Sequence, residues 1–122
     1  MLDQTIELLI KTKKSEDEKI GYIYNDPNSE TFKHITEKYG DHLRLFAGGT
    51  AQGFESTYYI VETNPDSKQY ANDVYTAVTR SSKGSLVIDK GNVLQEGEEE
   101  NNNVPKLAII IKNVRYYATT NI

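Results

Sequence analysis

Apolar residues along the chain follow two spacings, one typical of helices and one typical of strands. Near the amino terminus, a stripe with a period of three or four residues predicts an amphipathic helix. The stripe consists of Leu2, Ile6, Leu9 and Ile10. The compact apolar run at residues 20–24 predicts a buried strand, and the turn formers at residues 25–27 would end it.

A second helix is predicted from its capping residues and its apolar face. Asn28 or Ser29 can cap its amino terminus, and Gly40 is predicted to end it in a left-handed conformation. The residues expected to face the core are Phe32, Ile35 and Tyr39. A short strand is predicted at residues 42–46, before a pair of glycines interrupts the pattern.

The segments that follow repeat this alternation of strand and helix. Strands are predicted at residues 57–61 and 85–88, where β-branched, aromatic and aliphatic residues cluster. The helix predicted between them has an expected inner face of Tyr70, Ala71, Val74, Tyr75, Ala77 and Val78. Alternating strands and helices imply right-handed crossovers and a parallel sheet covered on both faces. The predicted fold class is therefore α/β, a three-layer sandwich with a mainly parallel sheet.

The composition changes in the last part of the chain. Residues 89–103 are rich in Gly, Glu and Asn and are predicted to form a mobile acidic loop. Residues 104–118 carry two conflicting signals. Asn103, Pro105 and an apolar stripe favour a helix, whereas the three isoleucines at 109–111 favour a strand. Of the two, the helix is the prediction.

Length, charge and composition limit the classes of protein to consider. At 122 residues, the chain is predicted to form a single domain. It has no cysteine, no apolar run long enough to cross a membrane and no signal-peptide pattern, so a cytoplasmic location is expected. The net charge of −4 argues against a surface built for tight electrostatic binding of nucleic acid.

Two short motifs carry most of the information about function. The first is Gln-Gly-Phe-Glu at residues 52–55, a turn that leads into an apolar strand; the second is Tyr-Thr-Ala-Val-Thr-Arg at residues 75–80. In this order, the pair resembles motifs V and VI of superfamily 1 helicases of the UvrD/RecD kind. The resemblance implies that residues 1–122 are the second RecA-like domain of such a helicase, with a motif-bearing core at 20–88 and an extension at 104–122.

The resemblance also implies roles for individual residues in binding ATP. Arg80 is the expected catalytic residue, because the matching arginine in the family contacts the γ-phosphate of ATP with a planar, permanently charged group. Glu55 is expected to accept a hydrogen bond from the ribose, while Gly53 lets the backbone approach closely and Gln52 orders the turn. Arg80 and Glu55 are expected to project from neighbouring carboxyl-terminal edges of the sheet toward a missing domain.

Contacts with single-stranded DNA are expected in the turn before Gln52, where amides and a hydroxyl can bind a phosphate. The residues concerned are Gly48, Gly49 and Thr50. The chain has no Gly-x-x-x-x-Gly-Lys-Ser/Thr loop with a following magnesium-binding acid, and no metal-binding pattern surrounds His34 or His42. An N-terminal RecA-like domain of the same longer chain is expected to hold ATP and Mg²⁺, and this domain alone should bind neither tightly.

The expected function is that of the C-terminal domain of an ATP-dependent DNA helicase or translocase, inactive in isolation. The alternative is a non-catalytic, degenerate RecA-like module with a binding or regulatory role. Three departures from the family support that alternative. Gly49 stands where histidine is common, Ser56 replaces an aromatic or apolar residue, and the arginine expected near residues 24–26 is absent.

Overall fold

The computed structural model describes residues 2–51, 53–63, 70–89, 106–111 and 114–119. Within these ranges, three α-helices and six strands follow one another along the chain. They are α1 (Leu2–Lys11), β1 (Ile20–Tyr24), α2 (Glu30–Tyr39), β2 (Leu43–Ala47), β3 (Ser56–Glu62), α3 (Tyr70–Arg80), β4 (Ser81–Asp89), β5 (Lys106–Ile111) and β6 (Val114–Thr119). A single 3₁₀ turn (Gly40–His42) joins α2 to β2.

The six strands form one sheet in the order β2-β1-β3-β4-β5-β6. The first four are parallel, and β5 and β6 continue the sheet in antiparallel pairing. The chain moves outward in one direction from β1 to β2 and in the other from β3 to β4. Right-handed crossovers therefore place α2 and α3 on opposite faces of the sheet. The predicted α/β class is confirmed, and the layering is compatible with a RecA-like sandwich.

Alternating side chains of the central strands build a core on each face of the sheet. On β3, Ile60 packs with α1 and α2, whereas Tyr59 and Val61 pack against α3. Ile6 of α1 and Ala77 of α3 are fully buried in these two cores. Burial of a large aliphatic side chain such as that of Ile6 contributes about 1.5–3 kcal/mol to stability. The sheet is therefore held from both sides, as the buried character of β1 and β3 predicts.

The ends of α2 match one capping prediction and contradict the other. Ser29 is the N-cap, and its side chain accepts a hydrogen bond from the Phe32 N–H at 3.1 Å. The left-handed conformation predicted for Gly40 is wrong, because its φ is −53° and its N–H still bonds to the Thr36 carbonyl. The chain winds through one further 3₁₀ turn before β2, so no left-handed residue is needed here.

Two predictions about α3 need adjustment. Val74 and Ala77 face the core as predicted, but Tyr75 is 70% exposed and does not belong to the inner face. The side chains of Tyr70 and Ala71 lie outside the described part of the structure. Strand β4 begins directly at Ser81, four residues earlier than predicted, because it pairs with β3 along nearly its whole length.

The helix predicted over residues 104–118 is wrong, since this segment contains β5 and β6 instead. Strand β5 pairs with β4 through Leu86 and Ile109, and with β6 through Ile109 and Tyr116. The backbone groups along the outer side of β4 need partners, and an antiparallel hairpin supplies them. Most of the loop predicted at 89–103 lies outside the described residues; Asp89 is the last residue of β4.

Candidate functional site

The two side chains predicted to bind ATP lie at the same edge of the sheet, but not at the expected edge. Glu55 immediately precedes β3, and Arg80 ends α3 immediately before β4. Because β3 and β4 are parallel neighbours, both residues lie at the amino-terminal edge. The prediction of carboxyl-terminal edges is wrong, because each residue comes before its strand rather than after it.

Glu55 and Arg80 nevertheless meet in space, although 25 positions separate them in sequence. The distance from Arg80 Nη1 to Glu55 Oε1 is 3.7 Å. The Arg80 side chain is 42% exposed and the Glu55 side chain is 78% exposed. An ion pair this exposed contributes little to stability. Both groups can therefore leave each other for a ligand at small cost.

A polar cleft of about 220 Å³ opens beside this ion pair. It is lined by Lys14, Glu18, Glu55, Ser56, Thr57, Thr79, Arg80, Ser81 and Ser82. Two positive and two negative side chains therefore share a wall that is otherwise rich in hydroxyl groups. The volume lies below the roughly 300–1,000 Å³ of a pocket that encloses a drug-sized ligand. The cleft can therefore enclose only part of a ligand of that size.

The position of Glu55 depends on the packing of its neighbour Phe54. The Tyr59 hydroxyl donates a 2.6 Å hydrogen bond to the Phe54 carbonyl. The Phe54 ring lies 5.5 Å from the Phe46 ring and 6.2 Å from the Tyr59 ring, measured between centroids. Burial raises the pKa of Tyr59, and the positive charges of Arg80 and Arg44 offset part of that rise.

The turn before Glu55 needs a glycine for conformational reasons. Gly53 has a φ of 82°, in the left-handed region that side chains other than glycine rarely adopt. A β-carbon added at this position would meet nothing within 4 Å, so the restriction comes from the backbone alone. Gln52, predicted to order this turn, lies outside the described residues.

The last turn of α3, which carries Arg80, is stabilised by the side chain of the preceding residue, Thr79. The Thr79 hydroxyl donates to the Tyr75 carbonyl at 2.9 Å and to the Thr76 carbonyl at 3.2 Å. Thr79 therefore satisfies two carbonyl groups in the last turn of the helix. In addition to pairing with Glu55, Arg80 complements the negative end of the helix dipole.

Of the residues that line the cleft, sequence reasoning identified Glu55 and Arg80 but missed Glu18 and its contact with Thr57. Glu18 accepts hydrogen bonds from the Lys14 N–H at 3.2 Å and from the Thr57 hydroxyl at 2.9 Å. These bonds join the loop between α1 and β1 to the start of β3. In sequence, residues 15–19 are a charged loop like any other, and only the tertiary contact with Thr57 distinguishes Glu18.

The residues predicted to bind DNA lie at the opposite, carboxyl-terminal edge of the sheet. The Gly48 N–H donates to the Tyr24 carbonyl at 2.9 Å, and the Gly49 N–H donates to Asp73 Oδ1 at 2.8 Å. The Thr50 N–H and hydroxyl both donate to the Ala47 carbonyl, at 3.0 and 2.6 Å. These groups already have internal partners, and contact with DNA stays a prediction.

Behind this turn lies a buried acid in an unusual environment. Asp73 is 2% exposed, and within the described ranges its Oδ2 atom has no hydrogen-bond partner. Asp73 Oδ2 and Asn25 Oδ1 lie 2.9 and 2.8 Å from the point that a β-carbon on Gly48 would occupy. Burial raises the pKa of Asp73, and the hydrogen bond from Gly49 partly opposes this. A carboxylate here disfavours a nearby phosphate.

Comparisons with models of protein families, with curated proteins and with solved structures found no match for this chain. Over the part of the chain that the structure covers, no helix has the length and apolar character to span a membrane. The same residues contain no group of three or more histidine or acidic side chains arranged to hold a metal ion. The candidate site therefore rests on the geometry of the cleft and on the resemblance of the two motifs.

Proposed function

We propose that this chain is the second RecA-like domain of a superfamily 1 ATP-dependent DNA helicase or translocase that works in the cytoplasm. It would contribute Arg80 and Glu55 to a nucleotide site shared with an N-terminal RecA-like domain of the same longer chain. The observation that carries the proposal is the 3.7 Å approach of these two side chains at one open cleft. One residue from each of the two motifs therefore lies at the same cleft.

The chemistry of the cleft suits the end of a nucleotide. Arg80 would turn from Glu55 toward the terminal phosphate and offset the charge that spreads over its oxygens during transfer. Glu55 would accept a hydrogen bond from a ribose hydroxyl, since a carboxylate is an acceptor only. ATP with Mg²⁺, held mainly by the other domain, would supply the bond that is hydrolysed.

Movement on single-stranded DNA would follow from closure of the two domains. Arg80 and Glu55 would contact a nucleotide held by the other domain only when that domain is near. Bound nucleotide would therefore favour the arrangement in which the two domains are closed. Loss of those contacts after hydrolysis would let the domains separate. The turn at residues 48–50 is the proposed contact with the strand, at the other edge of the sheet.

One observation favours the second candidate, a non-catalytic RecA-like module. The amides of Gly48 and Gly49 have internal acceptors, and the buried Asp73 lies behind them. A turn of this kind binds a phosphate less readily than one with free amides. A module with a binding or regulatory role would not need strand contacts at this position.

The decisive test is an ATPase assay on the protein encoded by the complete reading frame. Arg80→Ala is expected to lower DNA-stimulated turnover by a factor of about 10³–10⁵, the usual contribution of an arginine to phosphoryl transfer. Arg80→Lys is expected to restore little, because an ammonium group does not reproduce the planar fork.

Lys83 provides the matched control, since it is exposed on β4 and does not line the cleft. Lys83→Ala should retain turnover while removing the same charge. Normal turnover by Arg80→Ala, with its fold intact by circular dichroism, would reject the role of Arg80 in ATP hydrolysis. Absence of turnover in the natural protein itself would reject the helicase proposal in favour of the non-catalytic module.

A further inference from the structure

Part of the wall of the cleft is formed by the loop between α1 and β1, through Lys14 and Glu18. Glu18 holds this loop against β3, because one carboxylate accepts both from the Lys14 N–H and from the Thr57 hydroxyl. Thr57 is 1% exposed, so the anchor point itself is buried. The loop is thereby fixed at the mouth of the cleft.

This anchoring brings a second cation to the cleft of Arg80. Lys14 is exposed and lines the same 220 Å³ space as Arg80. The negative charge of Glu18 is directed into two hydrogen bonds with its own loop and strand. The negative charge of Glu55 lies on a side chain that is 78% exposed and can turn outward. An anion that enters the cleft would thus meet two positive groups, the Lys14 ammonium and the Arg80 guanidinium.

We propose that Lys14 is a second phosphate-contacting residue of this cleft and that Glu18 positions it. The inference rests on the proposed function and extends it to the ligand class: a chain of phosphates rather than a single one. Two cations that line the same space can contact successive phosphates of one ligand. Arg80 supplies a planar fork, and Lys14 supplies a point charge on a flexible stem.

The first experiment measures binding of inorganic tripolyphosphate to the 122-residue chain by NMR titration at low salt. Lys14→Ala and Arg80→Ala are each expected to weaken binding roughly five- to tenfold, as the loss of one charged hydrogen bond at a partly exposed site implies. Lys11→Ala removes an equal charge from an exposed position of α1 outside the cleft and should leave binding unchanged.

The second experiment separates positioning by Glu18 from its charge. Glu18→Gln and Glu18→Ala both remove the negative charge, but only glutamine keeps an acceptor for the Lys14 N–H. Binding by Glu18→Gln is expected to equal or exceed that of the natural chain, and binding by Glu18→Ala should be weaker than that by Glu18→Gln. In a Lys14→Ala background, this difference between the two variants should disappear.

Each result decides between distinct conclusions. If Arg80→Ala weakens binding and Lys14→Ala does not, the role of Lys14 is rejected while the proposed nucleotide site stands. If the natural chain does not bind tripolyphosphate, or if neither variant changes binding, both the role of Lys14 and the assignment of the cleft fail. Equal binding by the two Glu18 variants in the natural background rejects positioning by Glu18.

Discussion

At the residue scale, the carboxylate of Asp73 is buried in surroundings that disfavour its charge. Asp73 Oδ1 accepts from the Gly49 N–H, while Asp73 Oδ2 is buried and has no donor among the described residues. Asp73 Oδ2 and Asn25 Oδ1 both lie close to the point that a β-carbon on Gly48 would occupy. The orientation of Asn25 follows from its Nδ2 donating to the Glu62 carbonyl at 2.5 Å. Two acceptors therefore face the same point next to Gly48.

Asp73→Asn is expected to stabilise the protein by about 1 kcal/mol near neutral pH. The asparagine Oδ1 can still accept from Gly49, and its amide can donate toward Asn25, so an unsatisfied acceptor is replaced by a donor. The free energy of unfolding from urea denaturation would measure this. Asp41→Asn, at an exposed position, is the control and should change little. A less stable Asp73→Asn variant would mean that the second oxygen has a favourable role.

The same residue predicts a pH dependence with a definite sign. The pKa of Asp73 is raised in the folded state from its usual 3.8, so the folded chain holds this proton more tightly than the unfolded chain does. Its contribution to the free energy of unfolding therefore falls as pH rises from about 3.8 through the raised pKa. The difference between the natural chain and Asp73→Asn should follow this course, and a difference independent of pH would contradict it.

At the scale of the elements, the contact of β1 with β3 determines where Glu55 lies. Gly21 is directly opposite Tyr59 in the sheet, and the Tyr59 ring occupies the space that a side chain at residue 21 would need. The same ring donates its hydroxyl to the Phe54 carbonyl, next to Glu55. A glycine in the middle of a strand thus allows a packing arrangement that supports the cleft.

Gly21→Ala is therefore expected to destabilise the protein by about 1–3 kcal/mol, the usual range for an overpacked core. Gly40→Ala is a matched control, because a β-carbon there meets nothing within 4 Å and the φ of −53° suits any residue. That control should be neutral or slightly stabilising. Thermal unfolding would compare the two variants, and equal effects would show that the Tyr59 ring yields without cost.

The elements also show which features a single sequence can predict. The periodicity of α1 and the strand β1 depend on nearby residues, and they were predicted correctly. The observed cap Ser29 was one of the two candidates that the sequence offered for α2. Strand β5 was predicted as a helix because its pairing with β4 involves residues 17 to 25 positions apart, which no local pattern records. The Glu18–Thr57 contact was missed for the same reason.

At the scale of the whole molecule, the two predicted binding regions lie at opposite edges of the sheet. The segment at residues 48–55 runs between them, because it leaves the carboxyl-terminal end of β2 and reaches the amino-terminal end of β3. It is anchored at one end by the bond from Gly49 to Asp73 and at the other by that from Tyr59 to Phe54. Under the proposed function, this segment directly connects the turn that contacts DNA with Glu55, which contacts the nucleotide.

The final prediction concerns the two strands that extend the sheet beyond β4. Strand β4 pairs with β3 on one side and with β5 on the other, in each case over most of its length. Removal of residues 106–119 would therefore leave one side of β4 without a partner strand. An unpaired edge of a long apolar strand promotes association between chains. A chain that ends at residue 105 is therefore expected to unfold at lower urea concentration and to self-associate.

Urea denaturation and sedimentation velocity would measure these two effects. A chain that ends at residue 119 is the control, since it keeps both strands of the hairpin. If the shorter chain stayed monomeric with unchanged stability, β5 and β6 would be dispensable, and residues 20–88 would form the complete structural core with α1. Loss of stability would instead show that the hairpin belongs to the same cooperative unit as the parallel strands, because one sheet buries the edge of β4 only when β5 is present.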